Sequence, residues 1–412
     1  MRILLGGVPF GRNNVGDEAI LECVVRIVRE ARPDAQISVS TDDGAATAAK
    51  LGVRAVPLFG FEPPCDRDEM IRELQAHDVF IWAGATGLSD YPEIPTEMLR
   101  HAQAAGRRTV IWQVGMNSEL NPAKYRVLPG KRRLALNALT VASAGLFRGV
   151  AWEERRRVAR ARRRIAEALE ATNLVVVRDP ESRTQLEACG VTRPVHVGAD
   201  SALVLEPSAT PSFCPKAAAV LAFPGPKIGL CVSAQREIAN RTALLAYLDR
   251  WVDAGDRRVL FIPMNPVTDA ALMEDLRRMM RHPDRAATLT GRHEPGDILA
   301  AASRVDVIIS SRLHLLIFAS IVHTPFIGIS RGSKVDHFLA PYGLRSVGSV
   351  EACDFEAMHA ETLRLIDGKA RFLEQSREVR RNLLSRLDAS RKLLAILLSN
   401  ANPMSCPRSA TR

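Results

Sequence analysis

Two arginines, a lysine and a histidine in the last third of the chain combine positive charge with proton-transfer chemistry. Arg312 and His314 follow one apolar run of the sequence directly, and Arg331 and Lys334 follow the next. If both runs are strands of a parallel sheet, their carboxyl ends share one edge, where three cations would bind an anionic substrate. The imidazole could then transfer a proton. The competing interpretation is that the arginines are solvated and the histidine is structural.

A second polar group, made of Asn14, Gly16, Asp17 and Glu18, follows the apolar run 3–7. A loop that enters a helix offers free N–H groups and the positive end of the helix dipole, which suit an anion. Two carboxylates at that position would repel a phosphate. They indicate either hydrogen bonds to sugar hydroxyls or simple helix capping, with Asp17 as the predicted N-cap, and residue types alone favour capping.

Two loops contain glycines at positions where a ligand could approach the backbone. The loop with Gly6, Gly7 and Gly11 lacks the G-x-G-x-x-G pattern, so we expect no nicotinamide cofactor, and no other cofactor is predicted. The loop after the apolar run 79–82 begins at Gly84, which indicates either a substrate-binding loop or a plain turn.

Short apolar runs alternate with segments of helical period along the first half of the chain. This alternation predicts a parallel sheet covered on both faces, with strands at 3–7, 36–40, 79–82, 109–114 and 174–177. The alternation restarts at residue 228, with strands predicted at 228–232, 259–264, 305–310 and 325–329.

The predicted fold is α/β, with two Rossmann-like doubly wound domains in a GT-B-like arrangement and a long C-terminal helix. The domains are 1–206 and 228–398, the helix covers 372–398, and the proline-rich segment 207–227 is the predicted linker. Residues 399–412 are predicted to form a flexible tail. Such a protein binds ligands between its domains, at the carboxyl ends of the strands.

Composition is that of a globular protein large enough for two domains, with 412 residues, of which 47% are apolar and 25% charged. Seven dispersed cysteines without a C-x-x-C pair argue against a disulfide framework or a metal site and favour a cytoplasmic location. We expect no signal peptide, because Met1 and Arg2 lead straight into an apolar strand.

The formal net charge of +10 favours anionic partners. Seven of the arginines lie within residues 155–164, flanked by glutamates. The run indicates a solvated helix face, or contact with anionic lipids or a lipid-linked pyrophosphate at the inner face of a membrane. No nucleic-acid-binding motif accompanies it, so nucleic acid is not a predicted partner.

Five segments, taken in order, resemble the polysaccharide pyruvyltransferase family. Residues 311–319, 324–326 and 334–336 resemble the family's C-terminal signature, residues 14–20 its N-terminal segment, and residues 178–191 its middle segment. The resemblance implies a GT-B-like fold and transfer of the enolpyruvyl unit of phosphoenolpyruvate to a sugar. The product would be a cyclic pyruvate ketal in cell-surface polysaccharide or glycoconjugate synthesis, on a sugar or lipid-linked saccharide.

The same resemblance places Arg178, His314 and Lys334 at positions of functional residues, with Arg312 beside them. Phosphoenolpyruvate is expected on the C-terminal domain and the acceptor on the N-terminal domain. The family often has three consecutive glycines in the loop that begins here at Gly84, where this chain has Gly-Ala-Thr. That departure concerns the acceptor side.

For such a transfer, we expect His314 to donate a proton to the methylene carbon and Asp17 or Glu18 to accept one from a hydroxyl. The helix N-terminus should lower the pKa of His314, and a bound trianion should raise it. Two alternatives remain open from the residues. One is a GT-B glycosyltransferase that uses a nucleotide sugar, and the other is a non-catalytic scaffold for envelope synthesis.

Overall fold

The computed structural model of the protein describes residues 1–61 and 66–399 and contains two parallel sheets. The strands of the first sheet are β1 Arg2–Gly7, β2 Gln36–Ser40, β3 Arg54–Val56, β4 Val79–Ala83, β5 Arg108–Val114, β6 Leu174–Val177 and β7 His196–Val197. The strands of the second sheet are β8 Lys227–Cys231, β9 Arg258–Phe261, β10 Ala286–Thr288, β11 Val307–Ser310 and β12 Phe326–Gly328.

Helices connect most consecutive strands. In the first half they are α1 Val15–Ala31, α2 Gly44–Leu51, α3 Arg67–Ala76, α4 Gly87–Asp90, α5 Glu93–Ala104, α6 Pro122–Tyr125, α7 Lys131–Ala142, α8 Gly149–Glu170 and α9 Pro180–Ala188. In the second half they are α10 Pro215–Ala222, α11 Arg241–Asp253, α12 Thr268–Met279, α13 Pro295–Ala302, α14 Leu313–Ile321, α15 Ser333–Leu339, α16 Phe355–Asp367 and α17 Lys369–Ser399. Short 3₁₀ turns cover Ser201–Val204, Pro283–Arg285 and Ala340–Tyr342.

Both sheets are doubly wound. The strand order is β3-β2-β1-β4-β5-β6-β7 in the first and β10-β9-β8-β11-β12 in the second. The order therefore reverses between β1 and β4, and again between β8 and β11. At such a reversal the connections diverge to opposite faces and leave a crevice beyond the carboxyl ends of the strands. The loops that carry the predicted site residues start at these two crevices.

The predicted fold class is confirmed, since both sheets are parallel and helical connections surround them. Three short strands, β3, β7 and β10, had no clear signal in the sequence because each has only two or three residues. Residues 305–306, predicted as part of a strand, precede β11, which begins at Val307.

The N-terminus of α1 differs from its prediction. Asn14, not Asp17, is the N-cap, and its Oδ1 accepts a hydrogen bond from the N–H of Gly16 at 3.2 Å. Asp17 lies inside the first turn, where its Oδ2 accepts a hydrogen bond from Asn14 Nδ2 at 2.7 Å. Both residue types cap helices well, so composition alone could not choose between them.

The predicted linker 207–227 holds a helix, α10. Its buried residues Ala217, Val220 and Leu221 belong to the hydrophobic core, and the helix packs against β9 and β10. The segment from residue 215 onward is therefore packed on the second sheet. The proline-rich composition marked a change of sheet, while the apolar face of α10 decided that the segment would be ordered.

Helix α17 packs on both lobes of the molecule. It contacts α1, β6 and β7 of the first lobe, and α14 and α16 of the second. Its buried residues Leu387, Leu394 and Leu398 join a single apolar cluster that extends from β1 to β12. A continuous apolar interface of this kind holds the two sheets in a defined relative position.

Some sequence expectations concern residues outside the described part of the chain. The predicted tail lies there from residue 400 onward, as do Cys65 and Cys406. The five described cysteines form no disulfide with one another. Within residues 1–61 and 66–399, no helix combines the length and apolar character needed to cross a bilayer.

Candidate functional site

A cavity of about 230 Å³ lies between the two lobes, beyond the carboxyl ends of both sheets. The first lobe contributes residues that follow β1, β4 and β6, and the second contributes residues that follow β8, β9, β11 and β12. The charged and hydrogen-bonding residues that line it are Asn14, Asp17, Thr86, Asp90, Tyr91, Arg178, Gln235, Arg312, His314, Arg331 and Lys334.

Arg312 is held by a buried carboxylate. Its Nε and Nη2 donate to Oδ2 and Oδ1 of Asp269 at 2.9 and 2.8 Å, and Asp269 is fully buried in the first turn of α12. The remaining nitrogen, Nη1, is directed to Gln235 at 3.4 Å. Most of the charge of Arg312 is therefore compensated within the protein, and the pair fixes the position of the guanidinium at the cavity wall.

Arg331 and Lys334 have no such partner. Among residues 1–61 and 66–399, no carboxylate lies at ion-pair distance from either side chain, and the Nε of Arg331 is buried without a hydrogen bond. Burial lowers the pKa of Lys334 to about 8, and burial together with Arg312 lowers the pKa of Arg331 to about 10. The cavity thus holds excess positive charge in a desolvated place.

His314 reaches across the lobe interface from the first turn of α14. Its ring lies so close to α1 that a Cβ on Gly16 would be 2.2 Å from Nδ1. Its Nε2 is 3.8 Å from Oδ2 of Asp200 and has no hydrogen-bond partner among the described residues. Burial lowers the pKa of His314 to about 4, with Asp200 acting to raise it and three nearby cations acting to lower it, so the imidazole is neutral near pH 7.

Arg178, after β6, is also placed by a glycine. A Cβ on Gly115 would lie 2.4 Å from the guanidinium carbon, so only glycine at that position admits the side chain. Arg178 Nε donates to Asp179 at 3.3 Å, Nη1 lies 3.5 Å from Asp200, and Nη2 is buried without a partner. Nη2 is therefore the nitrogen of Arg178 that has no hydrogen bond among the described residues.

Asp17 holds a proton more firmly than an ordinary aspartate. Burial, with a contribution from Glu18, raises its pKa from 3.8 to about 7, while Arg312, Lys334 and Asn14 work in the opposite direction. The cavity therefore contains a carboxyl group that can be protonated at neutral pH, opposite an imidazole that is neutral.

Three residues predicted to bind substrate, Gly16, Glu18 and Gly84, do not line this cavity. Glu18 accepts a hydrogen bond from the N–H of Gly11 at 2.8 Å and lines a separate small pocket. Gly84 has φ +70° and packs against Ile20 of α1, where a Cβ would lie 2.5 Å from a methyl group. Ala85 and Thr86 line the cavity in its place. Gly16 lies behind His314.

Sequence reasoning missed several residues of the site. Asp200 precedes a short 3₁₀ turn after the two-residue strand β7, and Asp269 lies in the first turn of a helix. Asp90 lies in the four-residue helix α4. Its carboxylate accepts a hydrogen bond from the hydroxyl of Thr86, and its charge opposes the lowering of the Lys334 pKa. Asp200 follows a strand that had no signal, and the other two carry no sequence sign of their partners, which are distant along the chain or in a very short helix.

A second cavity, of about 290 Å³, adjoins the first and shares Arg178, Leu313 and Lys334 with it. Its other walls combine apolar side chains with polar ones, among them Glu181, Leu203, His337, Phe338 and Leu383. A ligand in this second cavity could contact one in the first without displacing it.

The fold and the inter-lobe cleft define a two-domain α/β protein of the GT-B type. The chain is similar over most of its length to three solved structures. They are a putative UDP-N-acetylglucosamine 2-epimerase from Listeria monocytogenes (TM-score 0.57, 10% identity, 91% of this chain and 90% of that chain), HepE from Anabaena (0.58, 11%, 97% and 100%) and the spinosyn forosaminyltransferase SpnP (0.53, 13%, 97% and 99%). At these identities the likeness concerns the fold.

The chain belongs to the polysaccharide pyruvyl transferase family, whose model matches residues 14–333. The match begins at the N-cap of α1 and ends in the first turn of α15, so it includes every cavity residue from both lobes except Lys334 and the two residues after β1, Val8 and Pro9. Curated protein sequences gave no match. The family confirms the resemblance seen in the sequence and makes the protein a transferase.

Replacing Gly16 by alanine should destabilise the protein by about 1–3 kcal/mol, because the new methyl group overlaps the His314 ring. Gly44→Ala is the matched control, since Gly44 also begins a helix and its nearest neighbour would be 3.2 Å away. Urea denaturation of both variants measures the difference. Equal stabilities would contradict the placement of His314 against α1.

Asp17→Asn should stabilise the ligand-free protein increasingly as the pH rises. Folded Asp17 keeps its proton up to about pH 7, whereas the unfolded chain releases it near pH 3.8. The stability cost of burying this group therefore develops between these two pH values. The advantage of asparagine should grow by about 3 kcal/mol between pH 5 and pH 8. Urea denaturation of both proteins at the two pH values tests this, and a constant difference would contradict it.

Proposed function

We propose that the cleft binds phosphoenolpyruvate and transfers its enolpyruvyl unit to two hydroxyls of a sugar, forming a cyclic ketal. The observation that carries the proposal is the pair of uncompensated cations, Arg331 and Lys334, in the same cavity as a protonatable Asp17 and a neutral His314. Family membership supports transfer of a pyruvyl group.

Phosphoenolpyruvate carries a phosphate and a carboxylate, and it is close to a trianion at neutral pH. Arg331 and Lys334 would neutralise most of that charge, and the free Nη2 of Arg178 would add a charge-assisted hydrogen bond. Arg312, already paired with Asp269, is better suited to positioning than to neutralisation. Each new charged contact would contribute about 1.5–3 kcal/mol.

The proton positions suggest a reversal of the roles expected from the sequence. Asp17 is the group with a proton to give at neutral pH, and a bound anion would raise its pKa further. His314 has a free base form at the same pH, and Asp200 lies 3.8 Å from its Nε2, where it could stabilise the imidazolium that forms. We therefore assign Asp17 as proton donor and His314 as proton acceptor.

The reaction then balances in two stages. Asp17 protonates the methylene carbon, and a sugar hydroxyl adds to the neighbouring carbon while His314 takes its proton. The C–O bond to phosphate breaks, and the second hydroxyl closes the ring at the resulting oxocarbenium carbon. The imidazolium of His314 then returns its proton through solvent to the carboxylate of Asp17. Overall, the new methyl group gains one hydroxyl proton and the departing phosphate gains the other, so the enzyme returns to its starting state.

The adjoining cavity offers room for the acceptor. It meets the first cavity at Arg178 and Lys334, so a hydroxyl bound there would face the carbon that is attacked. Glu181 and His337 could hydrogen-bond to sugar hydroxyls, and Phe338 could pack against the apolar face of a sugar ring. This position moves the acceptor from the N-terminal loop expected from the sequence to the boundary between the lobes.

The competing function is glycosyl transfer from a nucleotide sugar, because HepE was solved with UDP-glucose and shares the fold. A diphosphate would also be attracted by Arg331 and Lys334. A protonated carboxyl beside those cations favours the pyruvyl reaction, in which a carbon atom must receive a proton.

Phosphoenolpyruvate should raise the melting temperature of the protein, and Lys334→Gln should weaken its binding by about tenfold or more. Lys216→Gln, at an exposed lysine of α10, is the matched control and should bind normally. Thermal shift titration gives the binding constants. Stabilisation by UDP but not by phosphoenolpyruvate would overturn the proposal in favour of a nucleotide-sugar enzyme.

Asp17→Asn and His314→Ala should each lower turnover by about a hundredfold or more while phosphoenolpyruvate still binds. The assay measures phosphate release from phosphoenolpyruvate, with an extract of the source cells as acceptor. The control is the His282→Ala variant, at a half-buried histidine that does not line the cleft. In the native enzyme, kcat/KM should fall above about pH 7 as Asp17 loses its proton. Near-normal phosphate release by either variant would contradict the assigned roles.

A further inference from the structure

An exposed apolar surface is formed by residues 128–152, none of which lines the cleft cavity. Ten large apolar side chains are exposed in residues 1–61 and 66–399, and seven of them fall between residues 128 and 152. They are Leu128, Leu134, Leu139, Val141, Leu146, Phe147 and Trp152. Scattered exposed apolar residues are ordinary, but a concentration in one short segment marks an interaction surface.

Helix α7 gives this surface its shape. None of its twelve residues is buried, and one of its faces rests on the start of α8, where a Cβ on Gly149 would lie 2.6 Å from the carbonyl of Leu136. Thr140, on that same face, accepts a hydrogen bond from the N–H of Gly149 at 3.0 Å. The opposite face carries Leu134 and Val141, which are two turns apart and 69% and 80% exposed.

Helix α8 anchors the hairpin to the protein. Its second half buries Ile165 and Leu169 against α5, whereas between residues 150 and 160 only Glu153 is buried. Glu153 forms ion pairs with Arg132 of α7 and, at 3.0 Å, with Arg157 of its own helix. The helix α7 is thus held in place as an ordered element while its outer face remains uncovered.

The charge of the segment is of one sign. Residues 128–152 contain four basic residues, Lys131, Arg132, Arg133 and Arg148, and no acidic residue. Trp152 and Phe147 lie together, with ring centroids 5.7 Å apart, and Arg156 lies over the Trp152 ring at 5.4 Å. Apolar residues flanked by basic and aromatic ones are the composition of helices that lie in the interface of an anionic bilayer.

We propose that residues 128–152 form a membrane-docking surface, which we call the α7 surface, that inserts Leu134, Val141 and Leu146 among the acyl chains of an anionic bilayer. A second copy of the chain is a poorer occupant, because pairing two α7 surfaces would bring together two sets of four basic residues, of which only Arg132 has an ion pair among the described residues. An anionic headgroup layer neutralises those cations and solvates the apolar face at the same time. The proposal is independent of the reaction in the cleft.

Sedimentation with lipid vesicles tests the α7 surface in the full-length protein. The native protein should bind vesicles made of equal parts phosphatidylcholine and phosphatidylglycerol, and should bind phosphatidylcholine vesicles more weakly by about tenfold or more. Leu134→Ser with Val141→Ser should reduce binding to the anionic vesicles by a similar factor. Ile396→Ser with Met279→Ser removes two exposed apolar residues from outside the α7 surface, 57% and 60% accessible, and should leave binding unchanged.

Light scattering of the same proteins without lipid tests whether a second copy of the chain covers the α7 surface instead. A monomer in both the native and the Leu134→Ser/Val141→Ser forms agrees with membrane docking. The proposal is overturned if the native protein forms a dimer that this double variant abolishes, or if the double variant binds anionic vesicles as well as the native protein does. Equal binding of the native protein to neutral and anionic vesicles would also overturn it.

Discussion

Positive charge without a partner, buried where two sheets meet, is the constraint on which the cleft depends. Asp269 pairs with Arg312 through two hydrogen bonds, yet no described carboxylate does the same for Arg331 or Lys334. A buried ion without a counterion is costly, and a bound anion removes that cost by supplying the missing charge. Burial in the same cleft keeps His314 neutral, so the desolvation that makes the unpaired cations costly also sets the state of a proton-transfer group.

Steric constraints position His314 and Arg178 in the cleft. Gly16 and Gly115 belong to the first lobe, and the absence of a Cβ at each makes room for a side chain. Gly16 admits His314 from the second lobe, and Gly115 admits Arg178, which follows β6. The lobe interface itself is apolar and continuous, with α1 and α17 packed across it. The cleft is therefore a largely preformed site whose two walls are fixed against each other, rather than a gap between loosely tethered domains.

The residues proposed for catalysis and the surface proposed for membrane docking lie in different parts of the protein. Charged groups in the cleft are enclosed by two doubly wound sheets, whereas the α7 surface stands on a hairpin held by only one helix of the first lobe. Because Glu153 and the Gly149 contact fix α7 on α8, docking at this surface would require little ordering of the chain. With the α7 surface docked as proposed, a saccharide carried by a lipid would reach the cleft from the same membrane.

The sequence by itself determined the two parallel sheets, because alternating apolar runs and helical periods are local patterns that each segment carries alone. It also indicated Arg312, His314, Arg331 and Lys334 as neighbours, since consecutive parallel strands must end at one edge. It could not identify the N-cap of α1, the partners Asp200, Asp269 and Asp90, or the placement of Glu18 in a separate pocket. Those depend on which segments distant in sequence pack together. Only the tertiary structure decided which cations keep a counterion and which carboxyl group is buried deeply enough to hold a proton, because desolvation and pairing arise only when both lobes are in place.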